Sequence, residues 1–422
     1  MTVSAGLGAT IALLSPFQLS PQSNSKAGFG DLFKSGFQYG VSRPVNILVM
    51  GIDEGIDLKE ERKAEKKAES PSDAFKSRSD TMLLVRLNPD IQKASLLTIP
   101  RDTQVDIPGL GVEKINAANW KGGPELAAEV VSHTLNGVEV DRYVRVSTGA
   151  FRDLVDVVGG VEVFVPREMK YDDNTQKLHI DLKPGLQTLD GKQAEGFVRF
   201  RHDDLGDIGR TQRQQMLMKA LQKKFQNPLL LARVPEIFSV MQKHIDSNLS
   251  LGEMLALVQF GMQVKPNQFQ MVMLPGRFSM PDEFPLSYWL MDRTATNKVM
   301  KTYFEVEPPA ADIAETDTTS ATNPADVKIV VQNASGDPEG SRRMADYLVQ
   351  AGFVNVEIET DSPEPLNTTQ VVPQWGNLEV AQQLQQKIPK SEVTTDSTGN
   401  LRSDITIRVG KDWVKQSAAP KS

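Results

Sequence analysis

The first strongly patterned stretch is Val45-Asn46-Ile47-Leu48-Val49-Met50-Gly51, an apolar run that predicts a buried strand ending at Asp53. A charged segment, Lys59 to Glu69, follows and reads as an exposed helical insert. Thr81 to Leu87 and Lys93 to Ile99 predict two further strands, joined at Asn88-Pro89-Asp90, which is turn chemistry. So short a connection makes them an antiparallel hairpin. The start of the first strand and the end of the second then lie together, which makes Asp80 and Arg101 neighbours. The carboxylate of Asp53 reaches the same end if its strand joins the sheet.

Helical spacing returns at Pro124 to Asn136, with Leu126, Val130 and Val131 on one face. Tyr143 to Ser147 predicts a strand, Thr148 to Val158 a helix closed by Gly159-Gly160, and Val161 to Val165 a strand. The next informative stretch runs from Gly196 to Gln215. Gly196 to Arg201 alternates and predicts a strand, with Arg199 and Arg201 on one face and Val198 and Phe200 on the other. A helix follows to about Gln226, stopped by Asn227-Pro228, with Asp207 as its cap and Arg210, Arg213 and Gln214 on one face. This stretch supports two readings. One is a diphosphate pocket, because guanidinium groups and a helix N-terminus both match phosphate oxygens. The other is a wet surface of ion pairs with Asp203, Asp204 and Asp207.

More helices are expected to about Phe260, then a strand at Met271 to Leu274. Pro308 to Asp326 is rich in Ala, Thr, Asp and Pro and reads as a linker. Beyond it, two strand–helix–strand sets repeat loosely. The first is Val327 to Gln332, Glu339 to Gln350 and Val354 to Ile358. The second is Gln370 to Val372, Leu378 to Ile388 and Ile405 to Val409. They predict a small separate α/β domain. The expected division is a tail at 1–43, a main domain at 44–306, a linker at 307–326, the small domain at 327–413 and a tail at 414–422.

Composition narrows the function classes. The chain has 422 residues, 39% hydrophobic and 24% charged, with a net charge of −7. An acidic balance argues against a general nucleic-acid coat. With no cysteine, disulfides and cysteine-ligated metals are excluded, and four scattered histidines make a poor zinc site. The apolar run Val3 to Leu14 is shorter than the roughly 20 residues a membrane span needs and lacks the basic start of a signal peptide. It is expected to be the end of a membrane anchor rather than a plain tail.

Gathered at one end of the sheet are Asp53, Arg78, Asp80, Arg101, Arg199, Arg201, Arg210, Arg213 and Gln214. Two carboxylates among many guanidiniums suit metal-assisted phosphoryl transfer. Magnesium takes one or two carboxylates plus substrate phosphates, and arginines stabilise charge on a leaving phosphate. No P-loop, GxSxG elbow, HExxH or kinase signature is present.

The ordered set Gly51-Ile52-Asp53, Arg78 to Thr81, Ile99 to Thr103, Lys114 to Ala118 and Arg199 to Gln215 resembles the LytR-CpsA-Psr family over roughly Val45 to Gln226. Val327 to Trp413 is more loosely similar to a C-terminal domain often attached to that family. The resemblance implies an α/β core, a central mixed β-sheet flanked by helices, with the small α/β domain appended. It implies an anchored, extracytoplasmic transferase that moves an anionic glycopolymer from a polyprenyl diphosphate carrier in the membrane lipid to peptidoglycan, without nucleic acid. The metal, magnesium or manganese in its place, falls to Asp53 and Asp80. Arg78, Arg101, Arg199, Arg201 and Arg210 match the diphosphate arginines, and Gln214 matches the pocket glutamine. Arg213 is added as a substrate contact from its place on the same helix face. Asp80 and Asp102 are the two candidates for a base. At position 55, where the family often has arginine, this chain has glycine. The rival functions are a polyprenyl-diphosphate-binding module, a lipid pyrophosphatase and a transcriptional attenuator.

Overall fold

A computed structural model describes residues 40–52, 75, 77–174, 178–200, 206–225, 227, 229, 233, 236–237, 239–240, 245–309, 324–359 and 364–417. These residues fall within one unit, Ser35–Ser422. Asp53, Arg201, the charged insert, most of the linker and the apolar N-terminal run lie outside the described residues.

Strand β1 (Val45–Ile52) is followed by the hairpin β2 (Ser79–Asn88) and β3 (Lys93–Ile99), as the turn chemistry predicts. A second hairpin, β4 (Gln104–Ile107) with β5 (Gly111–Lys114), leads into helix α1 (Ala117–Thr134). Helix α1 begins earlier than the spacing predicts. It is two segments joined at Gly122 and Gly123, where Gly123 has φ of 72°, and Pro124 opens the second segment. Proline is well placed there, because a first helical residue needs no N–H partner.

Strand β6 (Arg142–Ser147) feeds α2 (Thr148–Val157), whose N-cap is Ser147, its hydroxyl accepting from the Ala150 N–H at 3.1 Å. Then come β7 (Val161–Val165), β8 (Met169–Asp173), β9 (Leu178–Leu182) and β10 (Gly185–Leu189), paired β7 with β10 and β8 with β9. They pack under α3 (Gly191–Arg199) and α4 (Gly206–Phe225), burying Val163, Ile180, Phe197, Phe200 and Leu217 together.

Helix α3 corrects the expectation of a strand at Gly196 to Arg201. The alternation of that stretch competes with a capping box. The Asp190 carboxylate accepts from the Gln193 N–H at 2.8 Å, and the Gln193 side chain accepts from the Asp190 N–H at 3.0 Å. That box starts a helix, and Ala194, Phe197 and Phe200 then lie at helical spacing in the core. Gly191 permits the close approach of α3 to α2, since a Cβ there would sit 2.3 Å from the Arg152 carbonyl oxygen.

The remaining strands of the main domain are β11 (Ile245–Ser247), β12 (Phe269–Met273) and the hairpin β13 (Gly276–Phe278) with β14 (Trp289–Met291). Helices α5 (Leu251–Gln263) and α6 (Arg293–Phe304) accompany them. The central sheet is mixed, in the order β11-β6-β1-β2-β3-β12. β1, β3, β6 and β12 run the same way, with β2 and β11 opposed. Val45 and Ile47 of β1 pack with Ala256 and Phe260 of α5, and Val49 and Gly51 on the same sheet face point into a cavity.

The C-terminal domain has the two-set pattern expected. Its strands are β15 (Ile329–Asn333), β16 (Val356–Ile358), β17 (Gln370–Pro373), β18 (Glu392–Val393) and β19 (Ile405–Val409), ordered β16-β15-β19-β17-β18. Helices α7 (Gly340–Gln350), α8 (Leu378–Lys387) and α9 (Lys411–Ser417) cover its core of Ile329, Met344, Leu384, Ile405 and Trp413. Among the described residues no helix is long and apolar enough to cross a membrane.

A buried carboxylate of this domain, Asp396, pairs with Lys219 of α4. Burial pushes the Asp396 carboxyl up, but Lys219 and Arg408 outweigh that and hold it at about 2, below its ordinary 3.8. A depressed folded-state value means the contact stabilises the fold above about pH 4 and loses that contribution as pH falls toward 2. The urea midpoint of the full chain is expected to drop across that window, and Asp396→Asn is expected to flatten the drop. Parallel curves for both proteins would count against it.

Candidate functional site

The site lies at the carboxyl ends of β1, β3 and β6, where open α/β sheets commonly hold ligands. A cavity of about 490 Å³ opens there, within the usual range for small-molecule sites. Its apolar walls include Val49, Leu83, Phe151, Leu178, Leu217 and Met218, and its polar groups include Asp80, Thr81, Ser147, Arg199, Arg210 and Gln214. An apolar groove that the sequence did not locate is therefore continuous with the polar residues that it did.

The hairpin register places Asp80 and Arg101 in contact, and their side chains form an ion pair. Asp80 remains 36% exposed at its side chain. Asp102, on the same turn, is held by Lys114 at 3.0 Å, with Arg101 Nε at 3.8 Å. Gln214 of α4 donates to the Thr81 hydroxyl at 3.0 Å, which ties the helix to the start of β2. Arg210, one turn earlier, lines the cavity and is only 5% exposed.

Arg199 ends α3 rather than a strand. Its guanidinium bonds Glu195 at 2.9 Å, and Arg152 of α2 bonds the other oxygen of the same carboxylate at 2.9 Å. Helical i, i+4 spacing produces the first contact, and the close approach at Gly191 allows the second. Glu195 is thus a cavity residue that sequence reading missed, because the predicted strand began at Gly196 and left it outside. Glu195→Gln keeps the shape but leaves two guanidiniums with a neutral partner. It should cost about 1–3 kcal/mol of stability, read from urea denaturation. A loss below about 0.5 kcal/mol would mean the carboxylate does not hold them.

Four predicted residues do not line this cavity: Arg101 and Asp102 stand beside it, where Arg101 pairs with Asp80, and Arg78 and Arg213 stand apart from it. Arg213 is buried, but its guanidinium donates to the Phe200 carbonyl and lies over the Phe200 ring, 5.5 Å from its centroid. It joins the end of α3 to α4 instead of lining the cavity. Arg78 is half exposed, with Glu113 at 3.9 Å, and does not line the cavity either. Asp53, next after the last residue of β1, and Arg201 lie outside the described residues. Gln215, beside Gln214, lines the cavity, is 1% exposed, and neither amide atom has a hydrogen-bond partner among the described residues. An unpaired buried amide is costly, which makes Gln215 a candidate partner for a polar group of a ligand. Its place next to Gln214 was the one signal available in sequence.

As to a metal, no group of three histidine, aspartate or glutamate side chains able to hold an ion occurs among the described residues. The half-exposed Asp80 at the cavity fits the other mode, in which magnesium uses one or two carboxylates and completes its shell with water and substrate phosphates.

An α/β protein with a mixed open sheet, and with a cavity at its strand ends that joins apolar walls to paired arginines and carboxylates, is the class this geometry defines. The family model of LytR_cpsA_psr matches residues 20–305, and that of the LytR cell envelope-related transcriptional attenuator matches residues 326–413. The chain belongs to the LytR_cpsA_psr family. Among its relatives, the polyisoprenyl-teichoic acid–peptidoglycan teichoic acid transferase TagU of Oceanobacillus iheyensis is 33% identical over 224 residues, 51% of this chain and 62% of that one. The like-named TagV of Bacillus subtilis is 30% identical over 268 residues, 62% of this chain and 64% of that one. The match spans less than two thirds of each of these curated relatives. The crystal structure of B. subtilis TagV superposes with a TM-score of 0.52 at 28% identity, covering 63% of this chain and 99% of that chain. The crystal structure of gbs0355 from Streptococcus agalactiae, at 23% identity and a TM-score of 0.54, shares the fold and covers 64% of this chain and 90% of that one.

Proposed function

We propose that this protein transfers an anionic glycopolymer from a polyprenyl diphosphate carrier, undecaprenyl diphosphate in particular, to peptidoglycan. One observation carries the reading: a single cavity joins apolar walls to a polar end bearing Asp80, Arg199 and Arg210. An isoprenoid chain suits the first part and a diphosphate the second. The names of TagU and TagV, transferases of teichoic acid between a polyisoprenyl carrier and peptidoglycan, support it. The apolar walls favour a lipid-linked donor over a soluble nucleotide.

In the proposed reaction a peptidoglycan hydroxyl oxygen attacks the phosphorus nearer the glycopolymer. A new P–O bond forms there, and the bond from that phosphorus to the bridging oxygen breaks. Polyprenyl phosphate leaves with the electron pair. Arg199 and Arg210 hold the diphosphate oxygens and take up charge as it moves to the leaving group. Gln214 and Gln215 offer amide donors beside them. Asp80, with Asp53, would hold magnesium or manganese, which when bound neutralises diphosphate charge. Asp102 is then the carboxylate left to receive the hydroxyl proton. The active form is membrane-anchored, on the outer side of the membrane where peptidoglycan lies.

The test uses a synthetic polyprenyl diphosphate–sugar donor and peptidoglycan fragments, with and without magnesium. Metal-dependent attachment of sugar phosphate to the glycan is expected. Release of polyprenyl phosphate without attachment would replace the reading with a lipid pyrophosphatase. Lipid binding without any product would replace it with a carrier-binding module.

A further inference from the structure

Among the described residues, two contacts between the C-terminal domain and the main domain lead toward the cavity. At the first, the segment after β18 is buried from Asp396 to Leu401. Thr395 accepts at its carbonyl from the Met271 N–H at 2.7 Å, and the Ser397 hydroxyl donates to the Met271 carbonyl at 2.8 Å. The segment thus covers the outer edge of β12, the last strand of the central sheet. Between these contacts Asp396 turns toward α4 and pairs with Lys219. Its other carboxylate oxygen accepts from the Thr398 hydroxyl at 2.9 Å, and the Thr398 carbonyl accepts from Arg408 at 2.6 Å. Lys219 stands one helical turn beyond Gln215 and next to Met218, both in the cavity wall.

At the second point, Trp375 stacks on Trp289 with ring centroids 5.6 Å apart and planes at 26°. Trp289 donates its backbone N–H to the Asp102 carbonyl at 2.8 Å and bridges Thr103. The same turn carries Arg101 and Asp102. Gly376 follows with φ of 75°, close against Val299 and Tyr303 of α6. The two contacts therefore bear on α4, which lines the cavity, and on the Arg101–Asp102 turn, whose Arg101 pairs with the cavity residue Asp80.

We propose that the C-terminal domain is a positioning element of the transfer site: Asp396 acts through Lys219 on α4, and Trp375 acts through Trp289 on the turn at Arg101. Displacing reacting groups by about 1 Å can cost on the order of 100-fold in rate, so a domain remote from the chemistry can govern turnover. The activity arm of the test rests on the proposed transfer reaction, while the exchange arm does not.

The experiment compares full-length wild type, Lys219→Gln, Lys219→Arg, Asp396→Asn and Trp375→Leu. Amide hydrogen exchange is followed by mass spectrometry, and transfer is measured as separate kcat and KM. Lys219→Gln and Asp396→Asn are expected to speed exchange about tenfold in the peptide spanning Arg210 to Met218, with exchange inside the β15–β19 sheet unchanged. They are expected to lower kcat about tenfold with KM within twofold, and Lys219→Arg is expected to restore both. Trp375→Leu is expected to speed exchange at the Trp289 and Thr103 amides. Unchanged exchange in α4 in both charge variants would overturn the proposal. So would faster exchange confined to the C-terminal domain, which is the mark of a merely structural pair. If wild type shows no transfer, the exchange result still decides the coupling, and the failure falls on the proposed reaction.

Discussion

Arg199→Ala is expected to cut transfer by about 100- to 1,000-fold, the usual cost of removing one preorganised group that stabilises developing charge. Arg199 closes α3, lines the cavity, and is aimed by Glu195, whose other oxygen is already held by Arg152. Truncation leaves Glu195 with Arg152 as its partner, so no buried charge is orphaned. The side chain sits in the last helical turn, where alanine keeps the helix. The melting temperature should therefore move by only a few degrees. Single-turnover assays with the lipid-linked donor, run beside a thermal melt, check both halves. Activity within threefold of wild type would remove Arg199 from the site. Arg213→Ala should behave in the opposite way, because Arg213 holds Phe200 and the start of α4 rather than the cavity. Its loss should appear first in stability.

The second large effect concerns the support of the sheet. Glu253→Ala is expected to destabilise the fold by about 3–5 kcal/mol, the cost of breaking a buried ion pair from one side. The Arg142 and Glu253 side chains are 8% and 3% exposed, and Arg142 reaches one Glu253 oxygen with Nε at 3.0 Å and Nη2 at 2.8 Å. The other oxygen accepts from the Ser250 N–H at 2.7 Å, completing the capping box of α5. Alanine removes the Glu253 half of the capping box and takes the carboxylate from the buried Arg142 charge at the start of β6, whose far end, Ser147, lines the cavity. Burial raises the Glu253 carboxyl, but the Ser250 and Arg142 bonds bring it below the ordinary value. Its contribution is thus present above about pH 4.5 and fades as pH falls through the lower folded-state value. Urea denaturation at pH 7 and pH 4 measures both effects. A loss under 1 kcal/mol at pH 7 would mean that Arg142 finds water instead.

Several features were legible because they are written within a few residues. The apolar run at Val45, the turn at Asn88-Pro89-Asp90 and the strand–helix alternation after Val327 each carry local signals. From the turn alone Asp80 and Arg101 could be placed together, since hairpin register converts a short connection into a long-range contact. The same local logic failed at Gly196 to Arg201. There an alternating pattern and a capping box disagreed, and the core at Phe197 and Phe200 settled Gly196 to Arg199 as helix.

What only the tertiary structure decided are contacts between elements whose sequences do not name each other. An apolar stripe on a helix says that it will be buried, not against which neighbour. Hence the groove walls from Leu178, Leu217 and Met218, the double hold of Glu195 on Arg152 and Arg199, and the separation of Arg213 from Arg210 could not be read in advance. The pairing of Lys219 with Asp396 and of Trp289 with Trp375 joins two domains across long stretches of chain. Local propensity acts over one turn or one strand. Which surfaces meet depends on the packing of the whole, and there the chain determined the chemistry available while the fold determined which groups share a site.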